Sequence, residues 1–277
     1  MRLHAASVRF DKSILTDAYT GGAVGKGQLA NSDYYKLDGA SVRRRIISVA
    51  PSFIPPTRRA VGLGGEFYLI GEPSTDEFNG SPIRVSYVLH QTPGMATVKT
   101  VAEALAGSAG TTMYASREWN KDVADLQHSS DYFNDYHIFV ANTETVTSGL
   151  LVYIDNQWHY CHAVHPSLSG FTDMVAHEIV GTVFETITAT AKTYNPVTDA
   201  YTDSSASVTV LRLRWQERFE YMTLAQETYQ RGDETLVVLK SARPALKPSD
   251  TFTLSDGVWR VLSVRDDGLT LSAHVRR

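Results

Sequence analysis

Gly64–Gly65–Glu66–Phe67–Tyr68–Leu69–Ile70–Gly71, Asp155–Asn156–Gln157–Trp158–His159–Tyr160–Cys161 and Asp256–Gly257–Val258–Trp259–Arg260–Val261–Leu262 carry one pattern. Each has a tight polar turn, a spacer residue, an aromatic ring and then a strand. Turn residues between apolar runs mark hairpins, and a ring just past the turn can bury itself between strands. Phe67, Trp158 and Trp259 lie about 90 and 100 residues apart, the length of a small β-domain. Such hairpins also recur without common origin in all-β proteins, so a true threefold repeat stays open.

Working outward, further strands are expected at Arg43–Val49, Ala60–Leu63, Ile83–Leu89, His137–Ala141, Gly149–Ile154 and Gln157–Val164. The series continues with Thr182–Thr193, Ser207–Arg214, Thr235–Lys240, Thr251–Leu254, Val258–Val264 and Leu269–Val275. Gly170–Asp173 reads as a turn, and Ala225–Tyr229 as a connector. A helix is expected over Thr97–Ala106, where Val98, Val101, Ala102 and Leu105 share a face, with another turn or two over Trp119–Leu126. Strands at about ten-residue spacing with few helices indicate a mainly β protein of two or three small barrel or sandwich modules. Residues 1–40 lack a periodic apolar face and read as an extended N-terminal arm. Modules are then expected at 41–95, at 96–180 with short helices, and at 181–277 with a long hairpin around Asn195–Asp199.

The formal net charge of −4 argues against a general nucleic-acid binder. The single cysteine, Cys161, cannot form an intrachain disulfide, which suits a reducing compartment. No secretory h-region is visible, and no apolar run reaches the roughly 18 residues of a membrane span.

Candidate chemistry is sparse. His177–Glu178 resembles half of a zincin helix, but Gly181 stands where the second histidine is required. On a regular strand His159, Cys161 and His165 share one face, a set with zinc-ligand chemistry, although residues four apart on a strand are separated by about 13 Å. Gly22–Gly27 lacks the first glycine and the Ser or Thr of a phosphate loop. No Gly-x-Ser-x-Gly elbow is present. The expectation is therefore a non-enzyme without metal or cofactor. The residues expected to meet partners are Tyr19, Tyr34 and Tyr35, the basic clusters Arg43, Arg44, Arg45 and Arg58, Arg59, and the terminal Arg276, Arg277. Arg212, Arg214, Glu217, Arg218 and Glu220 read as a mixed-sign polar face.

In the last third, Tyr229–Gln230–Arg231–Gly232–Asp233 leads into the strand Glu234–Leu239, and Lys247–Pro248–Ser249–Asp250 leads into the hairpin Thr251–Val264. This resembles the small β-barrels of tailed-bacteriophage head–tail connector proteins, the head-completion, stopper and adaptor proteins. The resemblance covers residues 205–277. It implies a structural virion protein at the head–tail junction, assembled in the host cytoplasm, as a homo-oligomeric ring of 6 or 12 copies. Portal and tail proteins would be its partners, with viral DNA passing through the channel without sequence-specific reading and no membrane involved. The chain departs from simple stoppers in carrying about 200 residues ahead of the barrel. Alternatives are a capsid decoration protein, a tail or baseplate component, and a metal-dependent hydrolase built around His177, Glu178 and the His159–His165 strand.

Overall fold

In a computed structural model, the described residues are 13–30, 34–37, 40–119, 135–166, 170–179, 181, 183–213, 221–224, 227–230 and 232–277. They form β-strands almost throughout, arranged as three closed six-stranded rings in tandem.

The first ring uses β1 (Ser13–Asp17), β2 (Ala23–Ala30), β4 (Ala40–Val49), β5 (Ala60–Leu63), β6 (Glu66–Phe78) and β7 (Ser81–Thr92). Pairing of β2 with β4 closes it, and β3 (Tyr34–Leu37) pairs with the outer part of β4. The second uses β8 (Gly94–Thr100), β9 (Thr111–Trp119), β10 (Asp135–Ala141), β11 (Leu150–Ile154), β12 (Gln157–Pro166) and β13 (Phe171–Glu178), with the short helix α1 (Val101–Leu105) between β8 and β9. The third uses β14 (Phe184–Asn195), β15 (Ala200–Leu213), β18 (Glu234–Leu239), β19 (Thr251–Leu254), β20 (Gly257–Asp266) and β21 (Thr270–Arg276). The hairpin β16 (Tyr221–Leu224) and β17 (Glu227–Gln230) lies between β15 and β18.

Numbered within each ring, the strands meet in one order, 1-2-3-6-5-4, in all three cases. The three hairpins of the sequence pattern are the strand 4–5 hairpin of each ring. Strand 5 then carries an irregularity at one place. Ile70, Cys161 and Val261, each four residues past the strand start, pair with Leu89, Ala176 and Val275, and one extra residue comes next before pairing resumes. A bulge sharpens local twist and bends its strand, which closes a small antiparallel barrel. The modules are thus structural repeats in topology and in register.

The aromatics align less simply. Phe67 and Trp158 come directly after the first residue of strand 5, whereas Trp259 lies one position further on, in line with Tyr68 and His159. Tyr68, His159 and Trp259 are buried in their barrels, while Phe67, Trp158 and Val258 point outward. The equivalent rings are therefore not the three that the sequence groups together. Inside each barrel the same strand 3 positions fill the core, namely Ile47 and Val49, Ile138 and Val140, Leu236 and Val238.

Several segments differ from expectation. Residues 13–30, assigned to an arm, supply two strands of the first barrel. Their glycines conceal the pattern, since Gly25 lies against Phe53 and Gly27 against Ile47, where a Cβ would have only 2.8 and 2.6 Å. Residues 1–12 lie outside the described residues. Gly170–Asp173 opens strand β13 rather than making a turn, and Tyr221–Gln230 is a hairpin. Thr97–Thr100 is strand. The helix begins only at Val101, where Thr100 and Glu103 form a reciprocal capping box. Of Trp119–Leu126, Trp119 ends β9 and the rest lies outside the described residues.

Successive barrels contact each other through apolar clusters. Ala60, Leu69, Tyr114, Phe139, Ala141 and Phe171 join the first to the second. Leu105, Leu151, Ile179, Leu211, Leu213 and Val237 join the second to the third, with Trp158, Tyr160, Phe184 and Leu239 against them. Gly170 sits in the first junction with φ +84°, and a Cβ there would stand 2.5 Å from the Glu72 backbone nitrogen. Gly170→Ala is therefore expected to lower stability by about 1–3 kcal/mol, through left-handed strain and loss of this close approach. Urea denaturation would show the drop as a lower midpoint, and an unchanged midpoint would contradict the packing described.

Candidate functional site

The end of each barrel that carries the strand 4–5 hairpin is filled by an arginine and an aromatic. In the first barrel Arg45 pairs with Glu66 at 3.3 Å and lies over Tyr68, 5.6 Å from its centroid. Tyr68 also contacts the Glu66 carboxylate, and burial together with that carboxylate pushes its hydroxyl up to about 12. In the second barrel Arg117, on strand 2, pairs with Asp155 of the hairpin turn at 3.3 Å, contacts Gln157, and lies 4.8 Å over Tyr136. In the third, Arg212 occupies the strand 2 position of Arg117, since Arg117 faces Ile138 as Arg212 faces Leu236. Leu29 occupies it in the first barrel, where the turn residues Gly64 and Gly65 offer no carboxylate.

Arg212 is the most committed of these side chains. Only 1% exposed, it binds Glu234 through both Nε and Nη2 at 2.8 Å, Glu185 through Nη1 at 3.0 Å and Asp256 through Nη2 at 2.9 Å, with its guanidinium 5.7 Å over Trp259. The Trp259 indole donates to Asp256 at 3.0 Å. Next to this set, Asp233 accepts from both Nε and Nη2 of Arg276 at 2.7 Å and meets His274 at 2.8 Å. Burial opposes charge on Arg212, but its carboxylate partners raise its pKa on balance. Burial likewise opposes charge on Glu185 and Asp256. The Ser255 amide with Arg212, and Arg212 with Trp259, nevertheless hold these two carboxyls below their usual range. Arg212, read from the sequence as part of a mixed-sign polar face, instead points into the barrel, because strand alternation after Val208 and Val210 turns it inward. Arg214, Glu217, Arg218 and Glu220 lie outside the described residues.

The residues expected to meet partners fall in several places. Tyr19 is at the first junction: its hydroxyl accepts the Tyr114 amide at 3.0 Å, and its ring lies 3.8 Å beneath Arg58. Burial pushes the Tyr19 hydroxyl up to about 12. Arg58 donates to Glu144 at 2.8 Å and to the Thr112 carbonyl at 2.9 Å. Arg59 binds Glu72 at 3.0 Å and the Gly71 carbonyl at 3.3 Å, at the bulge of the first barrel. These three side chains tie the chain to itself, as does Arg45. Arg276 is held by Asp233, whereas the guanidinium of the exposed Arg277 lies over Gly257. Tyr34 and Tyr35 are opposite Arg43 and Val42 on the β3–β4 hairpin, and Arg44 faces His90 across β4–β7.

The His159–His165 strand does not assemble a metal site. The bulge at His162 breaks the common face, leaving His159 and Cys161 buried and His165 exposed. Burial and the Arg117 charge lower His159 to about 4, and burial pushes the Cys161 thiol up to about 12, which leaves it unreactive. Among the described residues no group of three or more His, Cys, Asp or Glu could hold a metal ion. A recess of about 310 Å³ opens beside α1, lined in part by Lys99, Glu103, Met113 and Glu144. Its carboxylates are already engaged, Glu103 in the helix cap and Glu144 with Arg58. What sequence reasoning missed is the arginine-filled barrel end. The available signal was an arginine at an inward position of a strand together with an aspartate in a hairpin turn. No known protein family, curated protein sequence or solved structure matches the chain.

Arg212→Leu should cost about 3–5 kcal/mol, because it removes the buried cation from between three carboxylates, among them the buried Glu234. The lowered pKa values of Glu185 and Asp256 give a stabilisation that is complete above the ordinary carboxyl range near pH 4. It is lost as pH falls through their folded-state values. Melting temperature tracked from pH 7 to pH 3 should fall, and the Arg212→Leu chain should fall less steeply. Equal slopes would remove the arginine from that account.

Proposed function

We propose that the chain is a structural protein of a tailed-phage virion, set at the neck as a ring between portal and tail around the DNA channel. The observation that best supports this reading is the use of its polar side chains. Six of the described arginines, Arg45, Arg58, Arg59, Arg117, Arg212 and Arg276, are bound to carboxylates of the same chain, in barrel ends and barrel junctions. Chemistry of this kind fixes shape, and a fixed shape is what a ring subunit must present to identical neighbours. The connector-like stretch 205–277 coincides with most of the third barrel, including the hairpin end that Arg212 fills. Arms and surface hairpins would make the contacts between subunits and with portal and tail, and DNA would pass through the centre without being read.

The tandem repetition of one barrel topology favours a second reading in the same class, a tail or baseplate component assembled from repeated β-modules. Negative-stain images of the purified chain, alone and mixed with portal, should show closed annuli with a central hole. Labelling within virions should place it at the head–tail junction; a label at the tail tip would select the second reading. A chain that stays monomeric and binds neither portal nor tail would overturn both.

A further inference from the structure

The barrel-to-barrel contact uses the same positions twice. On the donating barrel these are Ala60, Phe67 and Leu69, then Leu151, Trp158 and Tyr160, at one set of places around the strand 4–5 hairpin. Phe67 packs at a tilt against Tyr114, with ring centroids 5.0 Å apart, and Trp158 meets Phe184 edge-on at 5.4 Å. On the receiving barrel, Phe139 and Ala141 correspond to Val237 and Leu239 on strand 3. The outer faces of the third and first barrels carry other residues at these positions. The third barrel places Thr251, Val258 and Arg260 at the donating positions, and the first barrel places Ser48, bonded to Ser86, and Ala50 at the receiving positions. Neither outer face repeats the set of large apolar side chains that joins successive barrels, Val258 alone being apolar and widely exposed there.

Among the described residues, one strand edge has no further strand beside it. Strand β14 pairs with β19 only over Thr188–Thr190, and β15 pairs with β18 only over Val210–Leu213. Beyond them, Ala191–Asn195 and Ala200–Ser204 pair only with each other among the described residues. Ser205–Thr209 likewise has no β18 partner, and Arg243 covers the Ser204 carbonyl at 3.1 Å, so the part of the β15 edge beyond that contact is Ala200–Asp203. Thr193, Pro196, Val197, Thr198, Thr202 and Asp203 are exposed, Val197 by 89%. A two-stranded ribbon is marginal by itself in water, and an open, weakly charged edge is a template for another strand. This ribbon has two such edges of opposite direction. The β15 edge of one copy can therefore accept the β14 edge of the next in antiparallel pairing, a head-to-tail contact of the kind that makes a ring where the rotation between copies closes.

We propose that residues 191–203 form the contact between copies of this chain, each ribbon adding a strand pair to its neighbour's. The proposal deepens the ring reading above and rests on it. Its test replaces Thr193–Thr202 with Asn-Gly, so that Lys192 and Asp203, already opposite each other, are closed by a two-residue turn. The shortened chain should melt like the full chain, because the barrel cores are untouched, yet remain monomeric where the full chain forms rings. In the full chain, amides of Ala191–Asn195 should exchange at least about tenfold more slowly in rings than in diluted monomer. Rings from the shortened chain, or equal exchange in the two states, would overturn the ribbon contact and leave the ring reading standing. A full chain that forms no ring, alone or on portal, would overturn both.

Discussion

Each barrel depends on one extra residue in its fifth strand. A six-stranded antiparallel sheet closes only if its strands coil strongly enough for the first to meet the last, and a bulge supplies that bend locally. Here the bulge comes directly after Ile70, Cys161 and Val261, the fifth residue of strand 5 in every module. Because side chains alternate, an added residue also moves the rest of the strand to the opposite face. In the second barrel this keeps Cys161 inside and sends His165 into solvent, dissolving the zinc-like face that a regular strand would present. One backbone feature thus shapes the barrel and sets the chemistry available on it.

The barrel ends solve a different problem in two ways. At the end of a small barrel the inward position meets water and the hairpin turn, and a purely apolar filling would be half solvated there. In the second and third barrels an arginine reaches from strand 2 to an aspartate in the turn, stacking its guanidinium on an aromatic ring. The first barrel has glycines in the turn and takes its arginine from strand 3 instead. The desolvation cost of Arg212 is offset by three carboxylates, a geometry that favours one arrangement more than it adds stability. Fixing the hairpin matters because its outward face, with Phe67 and Trp158, is what the next barrel packs against.

Much of the fold is legible from the hairpins. Two-residue turns flanked by apolar runs specify strand pairing locally, and Gly64–Gly65 and Asp155–Asn156 both adopt the positive φ values that such turns require. The repeat itself is half visible. Ring identity is conspicuous in a sequence and register is not, so Trp259 groups with Phe67 and Trp158, yet its structural counterparts are Tyr68 and His159. Strands β1 and β2 are hidden because glycine fills inward positions where Phe53 and Ile47 occupy the space. Strand β13 is hidden because Asp173 resembles a turn residue until its carboxylate is seen against His137, 2.8 Å away on the neighbouring strand. Tyr19, Arg58 and Arg59 stand out for their chemistry, and only the tertiary structure supplies the intrachain partners that engage them.

The distribution of apolar surface narrows how copies of the chain can meet. Between barrels, apolar contact is concentrated where one succeeds the next, and the homologous positions on the outer faces of the third and first barrels are occupied by Thr251, Val258, Arg260, Ser48 and Ala50, with Val258 the one large apolar side chain exposed among them. A contact like those between successive barrels would need several large apolar side chains there, because each contributes about 1.5–3 kcal/mol on burial. Lateral contact has no such restriction. Backbone hydrogen bonds along a ribbon edge need no particular side chains, only an edge left unpaired and little charge to repel a second strand. Beyond Ala191 the chain meets both conditions, on a hairpin longer than its own barrel needs.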